Sequence, residues 1–165
     1  MTISMIGIGQ HLLQQNMDLK KGEQLLIIVD ETTLSIGQAL FAAGSKLGAQ
    51  AVVMQMPLLG KSGREPLPIV SQAMPVADVV VAATAHSLTH TQARKRACAA
   101  GARVATMPGI TEEMFAGGAL AADYEKIAAR THILSDLLTQ AKEAILINGG
   151  ARLTMSLDKR KGIPS

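Results

Sequence analysis

The chain has 165 residues, 48% hydrophobic and 18% charged, enough for one domain with a sizeable core and too few for two of ordinary size. Its single cysteine, Cys98, excludes an internal disulfide, and with no export-type leader in Met1 to Gln10 the expected setting is a reducing cytoplasm. A net charge of +3 with three aromatic residues argues against nucleic-acid binding, and no apolar run approaches the roughly 20 residues of a membrane helix.

Met5, Ile8, Leu12 and Leu13 stand at helical spacing and predict an amphipathic helix over 4–18 that Gly7 and Gly9 weaken. After the turn Lys21-Gly22-Glu23, the run Leu25 to Val29 lacks polar alternation and predicts a strand buried on both faces. Thr32 or Thr33 is placed to cap the next helix, which carries Ile36, Leu40, Ala43 and Leu47 on one face and stops at Gly48. Ala51 to Gln55 is a second strand, followed by a surface loop over 57–68 and a short helix over 68–75. Asp78 to Ala82 is a third strand, Thr89 to Ala100 a helix stopped by Gly101, and Ala102 to Thr106 a fourth strand. A short helix spans 111–116, and Asp123 caps a long one to about Gln140 whose apolar face is Tyr124, Ile127, Leu134, Leu138 and Ala141. Strands and helices alternating in this way predict an α/β fold with a doubly wound, mainly parallel four-stranded sheet of Rossmann or flavodoxin type over 1–142.

Residues 143–165 differ. Ala144 to Ile147 and Leu153 to Leu157 flank Asn148-Gly149-Gly150, a hairpin signal. A two-stranded hairpin is marginal alone in water, so it reads as the opening of a second, mostly β domain, or as a surface that a dimer partner covers.

Gly60-Lys61-Ser62 lacks the earlier glycine and the following helix of a phosphate loop, and Gly7-Ile8-Gly9 precedes its strand instead of following it, so neither is a nucleotide fingerprint. The informative cluster follows the third strand: Thr84, His86, Ser87, Thr89, His90 and Thr91. In an open parallel sheet, ligands bind outside the carboxyl ends of the strands. Asp30 leaves the first strand at that edge, and Glu112 follows the fourth. Asp30, Thr84, Ser87, Thr89, Thr91 and Glu112 are therefore the candidate substrate-binding residues. Ser87, Thr89 and Thr111 also suit plain helix capping. His86 and His90 are candidates for moving protons, given the near-neutral pKa of an imidazole. Their spacing also suits a two-histidine metal pair, but no third ligand lies nearby in the sequence. Cys98, among alanines on a helix, reads as a buried, inert thiol, His11 as a helix-surface residue, and His132 with Asp136 as a weak surface pair.

The runs Ser87-Leu88-Thr89-His90-Thr91, Ala105 to Phe115 (ATMPGITEEMF) and Gly118 to Tyr124 (GALAADY), with Lys21-Gly22-Glu23 before a strand that ends in Asp30, resemble the N-terminal half of the aminopeptidase T family of metallo-aminopeptidases. The same superfamily includes 2,5-dihydroxypyridine dioxygenases, which use non-haem iron. The resemblance implies a divalent metal (zinc, cobalt, manganese or iron) held in the second half of a longer protein, with no metal ligand in this chain. It also implies a peptide or small-molecule substrate, and a homodimer or higher homo-oligomer. Three functions follow: the inactive-alone N-terminal domain of an aminopeptidase, the same domain of a ring-cleaving dioxygenase, or a non-catalytic ligand-binding or assembly domain.

Overall fold

Leu25 to Val29 have no polar member, and the fold buries all five by setting them between two parallel neighbours and two layers of helix. The structure, a computed structural model, describes residues 4–117 and 119–164. Its parallel sheet contains β1 (Gln24–Val29), β2 (Gln50–Gln55), β3 (Val79–Ala83) and β4 (Arg103–Thr106) in the order β2-β1-β3-β4. The register sets Leu25 beside Ala51 on one side and Val79 on the other, and Val79 beside Arg103. This is the predicted doubly wound arrangement.

The two-residue period of the strands divides the core. Leu25, Ile27, Val29, Val79 and Val81 face α1 (Met5–His11), α2 (Leu34–Lys46) and α5 (Glu112–Gly117), where Ile8, Leu13, Ile36, Leu40 and Phe115 are fully or almost fully buried. Leu26, Ile28, Val80 and Ala82 face α3 (Pro68–Ala73) and α4 (Gln92–Ala99), against Val70, Met74, Ala93 and Ala97. α1 continues as a π-helical turn, Leu12–Asn16. Gly9 lets α1 approach α2 closely, because a Cβ there would stand 3.0 Å from the Cβ of Ala43.

Three local expectations are corrected. Cys98 is exposed: the buried stripe of α4 runs through Ala93 and Ala97, and the next residue lies about 100° round the helix. His11 is half-buried, with Nε2 3.3 Å from the Ala122 carbonyl. Neither Thr32 nor Thr33 caps α2 by its side chain. Thr33 occupies the cap position, but its hydroxyl is engaged elsewhere.

The chain divides into two compact units, Met1–Ala122 and Asp123–Ser165. Within the second unit, the end of α6 (Tyr124–Gln140) holds the chain that follows the hairpin. Thr139 Oγ1 accepts the Gly162 amide at 2.9 Å, and Ser135 is buried against Gly162. Asp123 caps α6 by accepting the Lys126 amide, as predicted. The expected apolar stripe of α6 is exposed at Ile127, Leu134 and Leu138. β5 (Glu143–Asn148) and β6 (Ala151–Ser156) form the predicted hairpin around Gly149-Gly150, with Gly149 at φ 57°. Ala144, Leu146, Leu153 and Met155 share one of its faces. Among the described residues, no helix is long and apolar enough to cross a membrane.

Candidate functional site

The order β2-β1-β3-β4 sends the chain outward from β1 to β2 and then back across to β3. The two crossovers leave in opposite directions from β1 and β3, which makes the carboxyl ends of these strands the topological switch point, the usual ligand position in open α/β sheets. Asp30 follows β1 and Thr84 follows β3, which places both at this switch point.

Asp30 is 2% exposed. One carboxylate oxygen accepts the Thr32 hydroxyl at 2.6 Å and the Thr32 amide at 3.0 Å; the other accepts the Ala85 amide at 2.6 Å, across the β1–β3 gap. Thr33 adds a second cross-tie, since its hydroxyl accepts the Asp30 amide and donates to the Ala83 carbonyl at 2.6 Å. Burial pushes the Asp30 carboxyl up, but donation by the Thr32 hydroxyl and by the Ala85 and Thr32 amides outweighs it. The group is held below the ordinary carboxylate range. It is an anion with its oxygens already engaged.

The loop after β3 carries a run of hydroxyls at the same edge. Thr84 is buried and donates to the His86 carbonyl. Ser87 Oγ lies 2.9 Å from Thr89 Oγ1, which lies 2.8 Å from Thr106 Oγ1 at the end of β4. Both Ser87 and Thr89 are half-buried. Glu112 begins α5 and accepts a hydrogen bond from Ser35 in α2, so the α2 and α5 starts are tied together. Thr111 caps α5, accepting the Met114 amide. Thr91 stands apart from the rim. It is fully buried, accepts the Arg94 amide and donates to the Leu88 carbonyl, which makes it the N-cap of α4.

The loop after β2 is the element that sequence reasoning missed. It joins the same edge: Ser62 Oγ accepts the Ser87 amide at 3.1 Å, and the Gly63 amide donates to the Ser87 carbonyl at 2.9 Å. Its Glu65 carboxylate accepts the Gln92 and Ala93 amides at the start of α4. The only sequence signal was an acidic residue in a Gly- and Pro-rich loop, with nothing to connect it to a helix 27 residues away in the chain.

His86 is half-buried and His90 exposed, and neither imidazole hydrogen-bonds to another described residue. Among the described residues, no three His, Cys, Asp or Glu side chains are grouped to hold a metal ion. Asp30, the best-placed carboxylate, already has its oxygens committed to hydroxyl and amide donors. The donor set at this rim therefore does not fit a metal centre.

No family model matches the sequence, and no curated protein matches it. Among solved structures, the fold is similar to 2,5-dihydroxypyridine dioxygenase from Pseudomonas putida KT2440, with a TM-score of 0.64 and 15% identity. The match covers 92% of this chain and 46% of that protein, so the chain spans about half the length of its structural neighbour. At that identity the likeness establishes the fold.

Proposed function

We propose that this chain is the substrate-facing α/β part of a metal-dependent enzyme in the superfamily that joins aminopeptidase T-like hydrolases and dihydroxypyridine dioxygenases, with the metal held by residues outside this chain. The observation that carries the reading is the polar cluster at the switch point: a buried, fully bonded Asp30 carboxylate, a chain of hydroxyls through Ser87, Thr89 and Thr106, and two imidazoles not engaged by other described residues. A rim of this chemistry suits a small polar substrate that offers hydroxyl, carbonyl or ring-nitrogen groups. Ser87, Thr89 and Glu112 would position it, and His86 or His90 would accept or return a proton.

Of the two activities, ring cleavage has a structural neighbour in its support, whereas peptide hydrolysis rests on the motif run from Ser87 to Tyr124. The test is to assay the product of the complete gene under air with ferrous iron and a dihydroxypyridine, and separately with aminoacyl substrates and zinc, cobalt or manganese. Oxygen consumption with loss of the pyridine chromophore would support the dioxygenase branch, and release of free amino acid the hydrolase branch. His86→Ala and His90→Ala should lower kcat in whichever assay responds. Turnover by residues 1–165 alone, or unchanged kcat in both variants, would contradict the proposal.

A further inference from the structure

The turn Gly60-Lys61-Ser62-Gly63 is no phosphate loop, because the next helix begins only at Pro68, yet the fold brings it to the switch point. Gly60 at φ 77° and Gly63 at φ 79° bend the chain back on itself, and Arg64 Nη1 closes the bend by donating to the Leu59 carbonyl at 3.2 Å. Leu59 and Pro66 are buried, Glu65 holds the start of α4, and Ser87 is gripped at its amide by Ser62 and at its carbonyl by Gly63. Ordering a surface turn at so many points costs backbone entropy, and connections held over a rigid scaffold are where binding residues concentrate.

The sheet divides the charge of this edge between its two faces. The connections after β2 and β3 lead to α3 and α4 on one face and carry Lys61, Arg64, His86 and His90. Their one acid, Glu65, is occupied by the Gln92 and Ala93 amides. The connections after β1 and β4 lead to α2 and α5 on the other face and, with the first turn of α5, carry Asp30, Glu31, Glu112 and Glu113 and no base. Lys61 is exposed and makes no ion pair with a described residue. The neighbouring Ser62 hydroxyl accepts the Ser87 amide but donates to no described residue.

We infer, building on the ligand site proposed above, that Lys61 and Ser62 are a carboxylate-recognition element of that site. Its small-molecule ligand is then an anion, held with its carboxylate toward the α3–α4 face. An ammonium and a hydroxyl on adjacent residues offer donors that one carboxylate accepts together, and a charged partner strengthens both bonds. The acidic opposite flank repels the same group, which sets the direction of the ligand. The same sheet carries an apolar groove of about 340 Å³, lined by Leu26, Val52, Met54, Ala73 and Val76 and by no charged side chain, which serves as the control surface.

Amide NMR titration of the 165-residue chain with para-hydroxybenzoate and para-hydroxybenzamide, which differ in one charged group, tests this. The carboxylate should shift residues 61–64 and 84–91 and bind about five-fold more tightly than the carboxamide, the upper end for an exposed ion pair. That preference should shrink as salt is added. Lys61→Met, at an exposed residue with no packing to lose, should bring the carboxylate to the affinity of the carboxamide, and Lys61→Arg should keep the preference. Equal binding of the two probes at these residues, a preference that Lys61→Met leaves intact, or carboxylate shifts confined to the apolar groove would overturn the assignment. A dihydroxypyridine that shifts the edge when para-hydroxybenzoate does not would overturn the assignment and leave the site standing. An edge silent to all three probes would remove site and assignment together.

Discussion

At Asp30, three hydrogen bonds of 3.0 Å or shorter converge on one buried carboxylate, and one of them reaches across from β1 to the loop after β3. Hydrogen bonds to a buried charged group each contribute about 1.5–3 kcal/mol net, and an unmatched partner left behind costs a similar amount. Asp30→Asn retains the shape but replaces one acceptor oxygen with an amide that faces a donor, so it should destabilise the protein by about 2–3 kcal/mol in denaturant unfolding. The pH dependence has a definite sign. Because the folded carboxyl lies below its ordinary value, its contribution is present above the unfolded aspartate pKa of about 4 and is lost as pH falls through the lower folded value. The acid branch of the wild-type stability curve should therefore be steeper than that of Asp30→Asn. Parallel branches would mean that Asp30 is not the anion described. Asp30 was recognisable in the sequence by its place after a buried strand. Its committed state was not, because the amide it accepts belongs to Ala85, 55 residues away in the chain.

Among the elements, strands were the most legible, since runs such as Leu25 to Val29 and Val79 to Ala82 state their burial in composition alone. The helix starts were legible where the cap is local, at Thr111 and Asp123. They were misread where a cap competes with a tertiary partner: Thr33 gives its hydroxyl to the Ala83 carbonyl in the neighbouring strand instead of to its own helix. α4 shows the opposite case, a helix whose N-terminus receives a second cap from a distant loop, through Glu65. A carboxylate at this position contributes about 1 kcal/mol or less when solvent-exposed. Glu65→Ala should accordingly lower stability by about 1 kcal/mol while speeding exchange of the Gln92 and Ala93 amides by several-fold. It should also loosen the Ser62–Ser87 contact at the rim. Unchanged exchange at Gln92 and Ala93 would show that Glu65 does not hold the loop to the helix.

For the whole molecule, four connections that are far apart in sequence meet at one edge because all four strands of the sheet run the same way. That convergence is a property of topology, which is why three of the connections were foreseen and the loop after β2, pinned by Ser62, Gly63 and Glu65, was not. The account stands on this edge being where a small polar ligand binds. Two-dimensional amide NMR of the 165-residue chain, titrated with a dihydroxypyridine and in parallel with a dipeptide, reads it residue by residue. The account predicts shifts concentrated at residues 30–35, 61–64, 84–91 and 106–112 with at least one of the two ligands. Shifts confined to the apolar groove around Val52 and Val76, or to the hairpin, would contradict it, as would no response to either ligand.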